Sequence, residues 1–233
     1  METRNVLRRW ATPCAFALLF AGTASADLLH IDSGAGLQYC LGDVTVAASL
    51  PCATEAPHTA TVTITPHPAW EQNNPANPGD PSDHSAVWIS YKASGYGDSE
   101  FQASMGETPV VTILYPFTSE QGRLLLRVWA DDTAKVVLDP PATGLIEPVF
   151  AQNVCSGAPV GCRPEDGAFF DLPISGGSHM LAFVMYQVGT GGDSTSNPFG
   201  LLFTGASVPE PGTLLLLGSA LLLLGAKRTL WRR

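Results

Sequence analysis

The chain has 233 residues, 45% of them hydrophobic, and a formal net charge of −9. That length allows one large domain or two small ones. The acidic balance argues against a nucleic-acid partner, because surplus carboxylates repel phosphates.

At the start, Arg4, Arg8 and Arg9 precede an apolar stretch at 14–22, and Ala24-Ser25-Ala26 offers small residues at a cleavage position. This order predicts a signal peptide at 1–26, with Asp27 as the first exported residue. The apolar stretch is too short for an ordinary membrane anchor. Cys14 lies twelve positions before the small-residue site, whereas a lipoprotein cysteine sits at the cut.

The body, 27–207, keeps 19 of the 21 acids and 5 of the 12 bases, a net charge of −14. Such a surface excludes nucleic acid and anionic lipid but suits neutral glycans, cationic partners or divalent ions. Four cysteines remain here, Cys40, Cys52, Cys155 and Cys162. Export to an oxidising compartment favours disulfides, and four cysteines permit three pairings. The expected pairs are the local ones, Cys40 with Cys52 and Cys155 with Cys162, each stapling a loop for about 2–3 kcal/mol. A zinc site is disfavoured, since tight C-x-x-C spacing and neighbouring histidines are lacking.

Short runs rich in β-branched and aromatic residues at 59–65, 86–91, 110–117, 123–130, 134–138, 180–188 and 199–204 predict strands. In 123–130 a period of two places Leu124, Leu126 and Val128 on one face and Leu125, Arg127 and Trp129 on the other. The run 180–188 is apolar on both faces, which predicts a central strand. Strands separated by Gly/Pro/Asp turns, without helical intervals, predict an all-β domain, an antiparallel jelly-roll-type β-sandwich. Three loops interrupt it: 71–85, with three prolines and an exposed, irregular character expected; 138–167, with the second cysteine pair; and 189–197, a flexible tip.

The sequence points to no catalytic centre. The histidines His30, His58, His67, His84 and His179 are scattered, and neither H-E-x-x-H nor G-x-S-x-G occurs. The expectation is a non-enzyme without a resident cofactor. Trp70 and Tyr96, beside polar loops, are the candidates for stacking on a sugar ring, whereas Trp88 and Trp129 lie inside strands and read as core. Asp131 and Asp132, adjacent at a strand end, offer oxygens to calcium. The competing reading makes them a hairpin turn accepting backbone N–H bonds.

The chain closes on Val208-Pro209-Glu210-Pro211-Gly212, an uncharged leucine-rich run at 213–226, and a tail at 227–233 holding Lys227, Arg228, Arg232 and Arg233. The prolines bar a helix from entering from the body. The run predicts one C-terminal transmembrane helix of roughly 21 Å at ~1.5 Å per residue. Snorkelling cations and Trp231 help it across a ~30 Å core. The cations place the end in the cytoplasm and the body outside.

Pro209-Glu210-Pro211, the leucine-rich run and the basic tail, in that order, resemble the PEP-CTERM sorting signal of Gram-negative bacteria that make exopolysaccharide. The resemblance covers 208–233. It implies recognition at Pro209, Glu210 and Pro211 by an exosortase-type membrane enzyme of the inner membrane, and release to the cell surface or extracellular matrix. A second stretch, 126–138, with Trp-Ala-Asp-Asp, a turn and then Val-Val-Leu, is similar to the core hairpin of galactose-binding-like β-sandwich domains. Asp139-Pro140-Pro141 then stands where many relatives have Asn-Gly. The resulting expectation is a non-catalytic exported surface or matrix protein, associated with exopolysaccharide and with affinity for carbohydrate. The alternative is a secreted hydrolase acting on extracellular polysaccharide.

Overall fold

The computed structural model describes residues 28–45, 58–59, 61–72, 74–95, 109–141, 144–147, 160–187 and 198–210. The signal peptide at 1–26, the span at 213–226 and the tail at 227–233 lie outside the described residues. Among the described residues no helix is long and apolar enough to cross a membrane.

The strands are β1 (Leu29–Asp32), β2 (Gln38–Leu41), β3 (His58–Thr59), β4 (Val62–Thr63), β5 (Ile89–Ser90), β6 (Pro109–Ser119), β7 (Gly122–Asp131), β8 (Thr133–Leu138), β9 (Gly144–Ile146), β10 (Ala168–Ile174), β11 (Gly177–Tyr186) and β12 (Gly200–Pro209). The only described helix is a 3-10 turn at Pro164–Asp166. Two six-stranded sheets result. The first runs β10-β7-β12-β5-β4, with β1 also paired to β12, and the second runs β3-β2-β6-β11-β8-β9. Their pairings are antiparallel.

Side-chain alternation decides how the sheets pack. Leu124, Leu126 and Val128 of β7 and Leu201 and Phe203 of β12 meet Ile113 and Phe117 of β6 and Leu181, Phe183 and Met185 of β11 in one core between the sheets. Phe183 and Phe203 stack across it, with centroids 4.4 Å apart. The β7 alternation read from the sequence holds. In β11, Ala182 and Val184 on the other face are fully buried as well, consistent with its place between β6 and β8.

Each sheet carries a second apolar cluster on its outer face. Trp129, Leu202, Trp88, Trp70 and Cys162 cover the first sheet, and Cys40, Leu114, Val137 and Ala182 cover the second. Cys40 and Cys162 are both disulfide-bonded and lie in opposite covers. Cys52 and Cys155, their expected partners, lie outside the described residues.

Two expectations are corrected. The loop 71–85 is irregular, as expected, but it is not a free excursion. Asn77 is 1% exposed and donates from Nδ2 to the Gly205 carbonyl of β12 at 2.6 Å. Gly79 sits so close to Ala206 that an added Cβ would fall 2.3 Å from its methyl group. The loop is therefore part of the cover on the first sheet. Nor do β7 and β8 form a hairpin. β7 lies between β10 and β12, whereas β8 lies between β11 and β9 in the other sheet. Asp131 and Asp132 carry the chain from one sheet to the other, because β7 has both of its edges already occupied.

Candidate functional site

Four places hold chemistry-bearing groups. The first is the crossing between sheets. Asp131 ends β7 with 5% exposure, and Asp132 follows it, also buried, through a cis peptide bond. The Trp70 indole Nε1 donates to Asp131 Oδ2 at 2.6 Å. Burial, followed by the charge and hydrogen bond of Asp132, pushes the Asp131 carboxyl well above the usual range, and the Trp70 donor only partly offsets this. Calcium takes charged oxygens that it can reach in sets of roughly six to eight. Both carboxyls are buried, and one oxygen of Asp131 is already bonded to the Trp70 indole.

Trp70 itself corrects an expectation. It is 2% exposed and packs on Trp88, with ring centroids 4.3 Å apart, so neither face is open to a sugar. The polar residues around it in sequence suggested exposure, but the indole lies in the apolar cover of the first sheet, with Ile64, Trp88 and Leu202. The other stacking candidate, Tyr96, lies outside the described residues.

The second place was not anticipated. His30 and Asp32 leave the same side of β1, and the folded 71–85 loop brings Asp83 to them. His30 Nδ1 lies 2.5 Å from Asp83 Oδ2 and its Nε2 is 3.9 Å from Asp80 Oδ2. Asp32 accepts hydrogen bonds from the hydroxyls of Thr204 at 2.6 Å and Ser85 at 2.7 Å. Burial raises the Asp32 carboxyl, the two hydroxyls oppose this, and the adjacent Asp83 adds to the rise. Burial acts on Asp83 too, but hydrogen bonds from His30, Ser85 and Asp32 outweigh it and hold that carboxyl low. One ligand atom from each of His30, Asp32 and Asp83 lies within 4.8 Å of the others. One nitrogen and two oxygens at that spacing suit a borderline divalent ion better than calcium. The sequence signal was His30-Ile31-Asp32, two polar groups with a strand's period of two around a buried Ile31. Asp83 is 51 positions beyond Asp32, and only the fold joins them.

The third place is an open groove of about 530 Å³ whose lining includes Phe117, Asp139, Pro140, Ser178 and His179. Asp139 has a left-handed φ of 53°, and its carboxylate accepts from the Met180 backbone N–H at 2.8 Å. His179 Nδ1 lies 2.7 Å from Asp139 Oδ2, and Nε2 lies 3.0 Å from the Ser175 carbonyl. Both ring nitrogens thus face acceptors, and the ring is packed on Phe117 at 5.4 Å. That histidine is fully engaged in holding the groove's wall.

The fourth place is the end of β12. The strand runs through Val208, opposite Arg123, to Pro209, opposite Gly122. Pro209 is buried and Glu210 is exposed. The compact β unit ends at Pro209, the last residue of β12. Pro211 lies outside the described residues.

No curated protein matches the chain. The profile of the PEP-CTERM protein-sorting motif matches residues 207–233, and this motif indicates export and sorting by an exosortase-type membrane system.

Proposed function

We propose that the chain is a non-catalytic exported surface or matrix protein, processed at its C-terminal signal by an exosortase-type enzyme and retained with exopolysaccharide. The observation that carries this reading is the motif match at 207–233, which begins inside the last strand of a folded, all-β body. A net charge of −14 over 27–207 is compatible with a matrix of neutral glycan. The groove beside Phe117 offers apolar surface next to the Asp139 carboxylate, a pairing that suits a pyranose with one apolar face and a rim of hydroxyls. Two local disulfides, Cys40 with Cys52 and Cys155 with Cys162, complete the proposal and fit an oxidising destination.

The test is expression in a host with an exosortase and an exopolysaccharide, beside strains lacking either one. The protein is expected to stay membrane-bound without the exosortase, and to pass into the culture medium instead of the matrix without the polysaccharide. Identical fractionation in all three strains would sink the reading.

A further inference from the structure

We propose that His30, Asp32 and Asp83 bind one divalent transition-metal ion of the zinc type, which ties β1 to the 71–85 loop on the outer face of the first sheet. The site is separate from the C-terminal signal and does not depend on its processing.

The strand's period of two supplies the first two ligands. Ile31 is 0% exposed and packs in the core between the sheets, so His30 and Asp32 on either side of it point outward together. The loop supplies the third, and the three ligand atoms lie within 4.8 Å of one another. Ser85 orients both acids. Its hydroxyl donates to Asp32 Oδ2 at 2.7 Å, and its backbone N–H donates to Asp83 Oδ1 at 3.1 Å. The Thr204 hydroxyl holds the other Asp32 oxygen from β12. Outer donors of this kind fix ligating carboxylates in place, and each oxygen keeps a second lone pair for an ion.

Charge gives an independent reason. Asp80 Oδ2 lies 3.9 Å from His30 Nε2, so three carboxylates, those of Asp32, Asp80 and Asp83, gather around one imidazole. Among the described residues, the ion pairs of Asp80 and Asp83 are made to His30 alone. An imidazolium offsets one negative charge at most, whereas a divalent ion beside a neutral imidazole offsets two.

The geometry needs little adjustment. With zinc bonds of about 2.0–2.2 Å, two ligand atoms of a tetrahedral site stand roughly 3.3 Å apart. His30 Nδ1 and Asp83 Oδ2, now 2.5 Å apart, would part by roughly 0.8 Å to admit the ion between them. Nδ1 then binds through its lone pair, and the ring keeps its proton on Nε2, toward Asp80, an arrangement in which a carboxylate sets the ligand's tautomer. The side chains of His30 and Asp83 are 39% and 19% exposed, which leaves an entry path and room for water as a fourth ligand. An imidazole nitrogen suits zinc and its neighbours, whereas calcium takes oxygens.

The experiment is equilibrium dialysis of Zn2+ alone against the full chain, purified in detergent and stripped with a chelator, with bound metal counted by mass spectrometry. One zinc ion per chain is expected. Its affinity is expected to fall at least tenfold in His30→Gln and in Asp83→Asn, and to be unchanged in His84→Gln, whose ring already bonds the Asn74 carbonyl. X-ray absorption at the zinc edge of the wild type is expected to show one imidazole and oxygen neighbours, and this measurement does not require any variant to fold. No bound zinc, equal binding by the wild type and both ligand variants, loss of binding in His84→Gln, or a sulfur or second imidazole in the zinc shell would each overturn the proposal.

Discussion

Leu29 lies opposite Ser207 in an antiparallel pair, so the strand that opens the β body and the strand that closes it are neighbours in one sheet. The predicted leader end at Ala26 and the sorting motif at Pro209 therefore border adjacent strand ends. Removing residues on either side of these two points leaves the pairing untouched, because β1 begins at Leu29 and β12 ends at Pro209.

The buried acid at the sheet crossing sets a pH dependence. The Asp131 carboxyl is raised above its ordinary 3.8, chiefly by burial, so the folded state holds that proton more firmly than the unfolded chain does. The stability it contributes is complete below about pH 3.8 and is lost as pH rises through the folded value. Asp131→Asn keeps an acceptor for Trp70 and a donor for Asp132. Its melting temperature is expected to match the wild type near pH 4 and to exceed it at pH 7, by about 3 °C for each ~1 kcal/mol regained. Thermal unfolding of both proteins across this range checks the sign. A variant less stable at pH 7 than the wild type would show that Asp131 is ionised in the fold.

Trp70 tests the same crossing from its other partner. Trp70→Phe retains an aromatic ring against Trp88 but deletes the N–H that Asp131 accepts. A buried acceptor left unmatched costs roughly 1–3 kcal/mol. The urea midpoint is expected to drop accordingly, with the m-value unchanged. Binding to any saccharide is expected to be unaffected, because the indole face is already covered.

Gly167 faces Trp129 at a distance that excludes a side chain. A Cβ there would lie 2.4 Å from Trp129 Cε2. The indole is pinned by Cys162 and Leu202, and the Arg127 guanidinium lies over its ring at 4.8 Å. Gly167→Ala is therefore expected to destabilise by about 1–3 kcal/mol through overpacking and to shift the tryptophan fluorescence. Gly34, where a Cβ would meet nothing within 4 Å, is the control: Gly34→Ala should change neither stability nor fluorescence.

Much of this protein was legible in the sequence because it depends on short-range patterns. Leucine and valine alternating along 124–128 fix which face of β7 is core, since a strand's side chains alternate whatever it pairs with. The closing order of Pro-Glu-Pro, leucine run and cations likewise identifies a sorting signal without any fold. Short strands such as β1 and β2 were not visible, because four residues with mixed burial carry too little periodicity.

The tertiary structure decided matters that depend on distant partners. Asp131 and Asp132 read as a turn or an ion site because a pair of acids is polar by itself. They are buried because β7 and β8 belong to different sheets and the chain must cross between them. Trp70 read as exposed because its neighbours in sequence are polar, but its neighbours in space are Trp88 and Asp131. His30 and Asp83 meet only because the 71–85 loop folds over the first sheet. The sorting signal was found from sequence alone, whereas its first proline is the last residue of a paired strand only because β7 offers Gly122 opposite it. Local pattern determines which face of a strand is apolar and which address the chain carries. Which strands become neighbours, and so which polar groups are buried or where an exposed segment begins, depends on long-range pairing that no local window contains.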